Sequence, residues 1–522
     1  MTEKIHVFDT TLRDGEQSAG ISFTMDEKVE IARQLQKLNV DIIEAGFPAT
    51  SPGDREAIAA IAREVKGPVI AGLARAVELD IDHAYAAVHG AESPRIHVFL
   101  SASEIHMAHQ LRKNREDIIE MARAGVAYAK KYVSDVEFSP MDATRSDPEF
   151  IYQIIQAAIE EGATTVNIPD TVGYTIPREF EELVRSVMAN VPDIYKARIS
   201  IHCHNDLGMA TANTLAGILG GARQIEGTIN GIGERAGNAA LEEVVMAIKM
   251  RPDFMGVHTD VNTREFYTAS QMVERYSGML LQPHKAVVGK NAFRHSSGIH
   301  QDGVLKMRET YEIMDPREIG IPAGTSIVLT KVSGSHAVKS RLADLGIHPT
   351  DEEFARIFEA FKDVADARDE VDDRDLMAIV GEQTQITFED AWTLDLVQVS
   401  SSDHGAPTAS VRLIDADKVT HQDAAIGTGP VDAIYKAINR VTGAQNELIE
   451  FSVKSVTEGI DAQGEVTIRI QTAGGIHQGR AADPDILIAS ARAYIHAVNR
   501  AIVSEQNPTG QNAAARQAAE SR

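Results

Sequence analysis

The sequence predicts an α/β protein: a (β/α)8 TIM barrel, then a helical linker subdomain, then a C-terminal α+β domain with an internal strand-strand-strand-helix repeat. Three observations carry this expectation. Short apolar segments alternate with amphipathic helical patterns, at a spacing of roughly thirty residues per βα unit. Chemically capable polar residues gather at the C-terminal end of nearly every predicted strand. The last part of the chain holds two copies of one pattern. At 522 residues the chain also exceeds what one core fills, so two or three domains are expected.

The strands are expected at 5–10, 40–47, 68–74, 95–101, 135–140, 164–171, 198–205 and 223–231. Helical patterns lie between them. In 26–38, for example, Val29, Ile31, Ala32, Leu35 and Leu38 make one broad apolar face. An open doubly wound sheet has the same alternation and is the competing architecture. Polarity separates the two. Arg13 and Asp14 follow the first strand, Glu44 lies in the second, His97 in the fourth and Ser139 at the fifth. Asn167, Asp170 and Thr171 close the sixth, and His202 and His204 the seventh. Glu234, Arg235 and Asn238 follow the eighth. In a closed parallel barrel these ends meet at one mouth, where active sites of the fold sit. Scattered loop polarity would not select the same end of each strand.

After about residue 280 the alternation stops. Residues 280–316 are rich in Gly, His and Ser and read as loop and short helix. Residues 348–380 read as helix, with a dense charged stretch that suits a solvated connector. From about 385 the repeat begins. His421-Gln422 precedes a helix ending in Asn439-Arg440; His477-Gln478 precedes a longer one ending in Asn499-Arg500. The expected domains are therefore 1–280, 281–384 and 385–505, with a tail at 506–522 that lacks a strand pattern and reads as disordered.

The formal net charge is −25, which argues against a nucleic-acid partner, since such binding needs a basic footprint. Any anionic substrate must be drawn in by local positive charge. Cys203 is the one cysteine, so no intrachain disulfide forms. The first residues carry no apolar signal-peptide core, and no apolar run reaches membrane-spanning length. The expectation is a cytoplasmic protein with no membrane association.

The strongest chemical signal is His202-Cys203-His204. Side chains alternate faces along a strand, so the two imidazoles project together and Cys203 points away. Cys203 is then a buried packing residue, neither ligand nor nucleophile. With Asp14, the histidines make a mixed nitrogen and oxygen site for Mg2+, Mn2+ or Zn2+. Asn238 could add an amide oxygen. Open coordination positions admit a chelating 2-oxo acid, whose carbonyl the ion polarises. The plainer alternatives are polar strand ends facing water, Asp14 capping the next helix, and Arg13 pairing with a surface acid.

Three further segments are candidates. GIGERAGN (231–238) mimics a dinucleotide-binding turn, but it follows the eighth strand and no ribose-binding acid is evident after it. It reads better as a tight turn that places Glu234 and Asn238 at the mouth and opens a helix at 238–248; a phosphate cradle is the other possibility. HSSGIHQDG (295–303) puts two histidines in a flexible loop outside the barrel, suited to proton transfer near neutral pH or simply exposed. GTGP (427–430) precedes a helix whose free N–H groups suit a carboxylate, with Pro430 at the first helical position. An ordinary strand-to-helix turn has the same sequence.

FDTTLRDGEQ (8–17), EAGFPATSPGD (44–54), NIPDTVGYTIP (167–177), HCHNDLG (202–208), NGIGERAGN (230–238) and SSGIHQDGVLK (296–306) together resemble the 2-isopropylmalate synthase family. The resemblance covers roughly residues 4–505. The first motif alone is less specific, because homocitrate and citramalate synthases share it. The resemblance implies a Claisen-type condensation of acetyl-CoA with 2-oxoisovalerate, giving 2-isopropylmalate and CoA, the first committed step of leucine synthesis. It implies a divalent metal held by Asp14, His202 and His204, with Asn238 nearby. Arg13 resembles the residue that stabilises the keto oxygen, and Thr171 the hydroxyl that holds the substrate carboxylate. Leu73, His97, Ser139 and Asn167 resemble the side-chain pocket. Glu234 and His300 resemble the groups around the acetyl methyl, His300 coming from the partner of a domain-swapped homodimer. Tyr311 resembles a tyrosine near that site that influences feedback. The repeated domain resembles a leucine-binding regulatory domain, which makes Gly427, Thr428 and Gly429 effector-site candidates.

One position departs from the family. Members of that family usually carry a glutamate where FSPMDATR (138–145) has Met141, followed by Asp142. The change bears on substrate preference and makes the pocket rim softer and more apolar. The alternative readings are citramalate synthase with pyruvate as substrate, homocitrate synthase, and a catalytically silent leucine sensor. The sensor would carry damaged ligands or base, whereas Asp14, His202, His204, Glu234 and His300 are all present.

Overall fold

The computed structural model describes residues 2–321, 328–345, 347–366, 370–384, 391–401, 405–455, 464–472 and 475–506. Residues 507–522 of the expected tail lie outside them. The chain forms two compact units: Met1–His295 with Arg308–Ser326, and Ser296–Met307 with Ile327–Arg522.

The first unit is built on a closed barrel of eight parallel strands. They are β1 (His6–Asp9), β2 (Ile42–Glu44), β3 (Val69–Arg75), β4 (Pro94–Ser101), β5 (Asp135–Met141), β6 (Thr165–Asp170), β7 (Arg198–Cys203) and β8 (Gln224–Gly227). β1 closes the ring by pairing with β8, His6 opposite Gln224. All eight expected strands are present, and the open sheet is excluded.

Alternation explains how each strand serves two environments. Val136 and Phe138 on β5, and Ile199, Ile201 and Cys203 on β7, are buried in the main hydrophobic core with the surrounding helices. Their neighbours Glu137, Ser139, Ser200 and His202 form the buried polar contacts described below. Cys203 is fully buried and free, as the alternation requires.

Helix Met25–Leu38 begins with a capping box: Thr24 accepts from the Glu27 N–H, and Glu27 accepts from the Thr24 N–H at 2.8 Å. Its five expected apolar residues are all buried. The helix after β8 starts at Leu241, not at 238. Asn238 forms an isolated bridge with His204, and Ala240 one with Thr228, so the chain stays extended to 240. His300 lies in a helix, Gly298–Lys306, where a flexible loop was expected. Helix formation there follows from the Ser297 carbonyl accepting the Gln301 N–H at 2.9 Å.

In the second unit, the charged stretch at 348–380 forms two helices, Asp351–Asp366 and Asp373–Thr384. Their core includes Leu342, Ile357, Phe361, Leu376 and Val380. The repeat is real. β9 (Trp392–Ser400), β10 (Thr408–Asp415) and β11 (Thr420–Ile426) form one antiparallel sheet, followed by helix Pro430–Thr442. β12 (Glu447–Ser455), β13 (Gly464–Thr472) and β14 (Gly475–Asp483) form the second, followed by helix Ile486–Gln506. The repeated Asn-Arg pairs do comparable work. Arg440 donates to the Ala424 carbonyl on β11, and Arg500 to the Gln478 carbonyl on β14, both at 2.6 Å. The halves share one hydrophobic cluster, in which Tyr435 stacks on Tyr494 with ring centroids 4.1 Å apart. Among the described residues, no helix is long and apolar enough to cross a membrane.

Candidate active site

The C-terminal ends of β1, β7 and β8 bring Asp14, His202, His204 and Asn238 together. His202 Nε2 lies 3.1 Å from Asp14 Oδ2 and 3.1 Å from His204 Nε2; His204 Nε2 lies 3.4 Å from the same carboxylate oxygen. All three residues are buried. Asp14 does not cap the turn that follows it; its side chain makes no capping hydrogen bond. The Asn238 amide donates from Nδ2 to the Ile232 carbonyl at 3.1 Å, which leaves Oδ1 buried and without a partner. Three converging donor atoms and an orphaned amide oxygen fit a divalent cation. The electrostatics agree. Burial alone would lower the His202 pKa, but Asp14 and Glu226 raise it to about 9. Burial opposes the ionised form of Asp14, yet Arg13 and the two histidines hold its pKa well below the usual range. Asp14 thus stays ionised beside the two imidazoles, and a buried carboxylate held in that form suits a cation.

The glycines of 231–238 serve this site by close approach. A Cβ on Gly233 would fall 2.0 Å from Asn238 Nδ2, and one on Gly237 2.1 Å from the Gly231 carbonyl oxygen. They are tight-turn glycines, as the sequence suggested. The Glu234 N–H points at Asp14 Oδ1 from 3.4 Å, while its side chain is exposed.

A second line of contacts runs from Arg13 across the mouth. Arg13 pairs with buried Glu44, not with a surface acid. Glu44 Oε1 lies 2.7 Å from His97 Nδ1, and His97 Nε2 lies 2.6 Å from Ser139 Oγ. Asn167 Nδ2 donates to the same hydroxyl at 2.9 Å. Leu73, beside His97 in the β3–β4 register, is buried. Thr171 Oγ1 accepts the Asp142 N–H at 2.9 Å. Asp142 itself is buried in a left-handed conformation and pairs with Arg145 through both oxygens at 2.8 Å.

Beneath these residues lies a polar layer that sequence reasoning missed. Arg95 donates to Glu137 at 2.7 Å and to Gln224 at 3.1 Å; Gln224 Nε2 reaches Ser200 at 3.0 Å, and Ser200 reaches Glu226 at 3.1 Å. Glu226 in turn lies 3.1 Å from His202 Nδ1. Burial and the charge of Glu226 push the Glu137 pKa up, while His202, His97 and Arg13 keep Glu226 ionised against its burial. The signal was present: Arg95-x-His97, Glu137-x-Ser139, Ser200-x-His202 and Gln224-x-Glu226 each place two polar residues at the inward period.

Other candidates lie elsewhere. His300 and Tyr311 are exposed; His300 belongs to the second unit and Tyr311 to the first. Gly427, Thr428 and Gly429 form the turn before helix Pro430–Thr442. The Thr428 N–H donates to Asp432 Oδ2 at 2.8 Å, which closes that turn.

Fold and site define a (β/α)8-barrel enzyme with a buried candidate divalent-cation centre at its mouth. Residues 4–273 match a family model described as HMGL-like, 287–369 one described as homocitrate synthase post-HMGL domain-like, and 370–502 the LeuA allosteric (dimerisation) domain. The chain is 54% identical over 512 residues to 2-isopropylmalate synthase of Thermosynechococcus vestitus, covering 95% of this chain and 96% of that one. It is 53% identical over 506 residues to the 2-isopropylmalate synthase of Carboxydothermus hydrogenoformans, covering 97% and 99%. A solved hydroxymethylglutaryl-CoA lyase from Pseudomonas aeruginosa, at 22% identity, matches 54% of this chain and 95% of that one with a TM-score of 0.46. The chain belongs to the 2-isopropylmalate synthase family. These relatives do not favour citramalate or homocitrate synthase.

Proposed function

We propose that this chain condenses acetyl-CoA with 2-oxoisovalerate to give 2-isopropylmalate and CoA, in the cytoplasm and under feedback by leucine. The observation that carries the reading is the Asp14, His202 and His204 donor set with the unpartnered Asn238 oxygen at the barrel mouth. Those four residues would hold Mn2+, Mg2+ or Zn2+, and the bound ion polarises the keto carbonyl as a Lewis acid. Arg13, its guanidinium fixed by Glu44 and 3.4 Å from Asp14, is placed to stabilise the alkoxide charge that develops on the keto oxygen. Thr171 accepts a backbone N–H and keeps its own proton for the substrate carboxylate.

Leu73, His97, Ser139 and Asn167 form the wall for the substrate side chain. His97 commits both ring nitrogens to Glu44 and Ser139, so this wall tolerates an alkyl group. Glu234 and His300, the latter supplied across a domain-swapped homodimer, take the proton from the acetyl methyl, with Tyr311 nearby. The resulting carbanion forms the new C–C bond at the keto carbon. Water then cleaves the thioester C–S bond, releasing CoA and the product carboxylate. Leucine binds at the turn Gly427, Thr428 and Gly429.

The test is CoA release by purified protein given acetyl-CoA, a divalent ion and each of 2-oxoisovalerate, pyruvate and 2-oxoglutarate. Turnover is expected with 2-oxoisovalerate. Preference for pyruvate overturns the assignment, and no turnover with any of them favours a silent sensor.

A further inference from the structure

We propose that Glu226 is a positioning residue for the cation centre: its carboxylate takes the Nδ1–H of His202 and so fixes the Nε2 lone pair toward Asp14 and His204. This rests on the cation reading of the site given above. Glu226 on β8 sits directly beside His202 on β7 in the strand register. The Glu226 Oε2 and His202 Nδ1 atoms lie 3.1 Å apart in an ion-pair contact, both are buried, and neither makes a well-aligned hydrogen bond among the described residues, so each is the nearest group that can satisfy the other. A carboxylate only accepts, so the facing imidazole nitrogen must carry the proton. A neutral imidazole then has its single lone pair on the opposite nitrogen, the one aimed at the cation position.

The carboxylate is itself held in place. Ser200 donates to Glu226 Oε1 at 3.1 Å, and Gln224 donates to Ser200 at 3.0 Å. Gln224 also donates to Glu137 at 2.9 Å, and Arg95 clamps Glu137 at 2.7 Å. Hydrogen bonds therefore run from a buried guanidinium to the Glu226 carboxylate, which lies 3.1 Å from the ligand imidazole. The donor atoms of His97, Glu137 and Glu226 also lie within 4.8 Å of one another. A second cation is not needed there, because Arg95 already supplies the positive charge against Glu137. His204 has no such carboxylate: its Nδ1 is buried without a partner, and the backbone bridge to Asn238 places its strand end instead. The two histidines are thus oriented by different means, and the Glu226 arrangement acts on His202 alone.

The test titrates Mn2+ into chelator-treated full-length protein and follows free Mn2+ by its EPR signal, for wild type and Glu226→Gln. The neutral amide retains the shape and loses the obligatory acceptor. The expected result is a Mn2+ Kd raised about 10–100-fold in the variant, with the metal-free unfolding midpoint unchanged or higher. A purely structural role would lower that midpoint and leave the Kd alone. Equal Mn2+ affinity in both proteins overturns the proposal. Absence of Mn2+ binding by wild type overturns the cation reading beneath it, a distinguishable failure. Should the variant fail to fold, the ring 15N signals of His202 in wild type, assigned by difference from His202→Gln, decide the matter: an Nδ1–H tautomer supports the proposal and an Nε2–H tautomer overturns it.

Discussion

Glu44 and His97 face each other across the barrel mouth, Oε1 to Nδ1 at 2.7 Å, with both side chains buried and Arg13 on the other carboxylate oxygen. One acid thus orients both a residue assigned to the oxyanion and a residue assigned to the pocket wall.

Replacing Glu44 by Gln removes the nearer counter-charge of buried Arg13 and leaves it Asp14 at 3.4 Å, so the change should cost less than a fully broken buried pair, which costs about 3–5 kcal/mol. Burial works against ionisation of Glu44, yet Arg13 and His97 lower its pKa on balance. Its folded pKa thus lies below the unfolded value of about 4.3. The stability it contributes is present above that value and is lost as pH falls through the folded one. Urea unfolding between pH 3 and 7 should show a steeper acid loss for wild type than for Glu44→Gln. Parallel curves would remove Glu44 from this role.

Asp9 carries the opposite sign. Burial pushes its carboxyl up to about 7, although Thr11 donates to it twice, from N–H and hydroxyl, at 2.9 Å. The folded state therefore holds this proton more tightly than the unfolded state. The associated stability is complete below about pH 4 and declines as pH rises through about 7, by about 1.4 kcal/mol per unit of separation. Asp9→Asn keeps the shape and cannot ionise. It should flatten this decline and exceed wild type in stability at pH 8; an unchanged slope refutes the assignment.

The barrel was legible in the sequence because nearly every strand exports its chemistry at one end, as Asp14, His204 and Asn238 do. The interior layer was not, although Arg95, Glu137, Gln224 and Glu226 all fall at the inward period. A lone polar residue within a short strand has no partner visible in one dimension; its neighbours come from strands 42 to 129 residues away, as the Arg95 contacts with Glu137 and Gln224 do. The helix start after β8 was misplaced for a related reason. The bridges from Asn238 and Ala240 are long-range pairings that override a good local helix pattern.

Cation binding should register in stability as well as rate. Ligand at one hundred times its Kd adds about 2.7 kcal/mol when it binds the folded state alone. Chelation should abolish CoA release and lower the unfolding midpoint, and Mn2+ should restore both. His204→Ala should lose the Mn2+ increment while its metal-free midpoint stays close to that of wild type. A full increment in that variant removes His204 from the ligand set.

Gly233→Ala tests the turn that carries Asn238. The added Cβ would stand 2.0 Å from Asn238 Nδ2, so the amide must move or the turn must open. Overpacking of this kind costs about 1–3 kcal/mol. Displacement of Asn238 should also weaken Mn2+ binding at least tenfold. Unaltered affinity alongside reduced stability would make Asn238 a structural residue only.

The effector turn contains two glycines with different reasons to exist. A Cβ on Gly427 would lie 2.3 Å from the Ala433 backbone nitrogen, so the fold itself demands glycine there. Gly429 has nothing within 4 Å of its Cβ position, and its φ of −151° suits any residue. The fold does not explain the second glycine, whereas a ligand carboxylate approaching the helix N-terminus at Pro430 would. Gly427→Ala would therefore confound folding with binding, and Gly429→Ala separates them. The expected outcome is a leucine concentration for half-inhibition raised at least tenfold, with no change in the unfolding midpoint. An identical inhibition curve places leucine elsewhere in the C-terminal domain and returns Gly427-Thr428-Gly429 to an ordinary turn closed by Asp432.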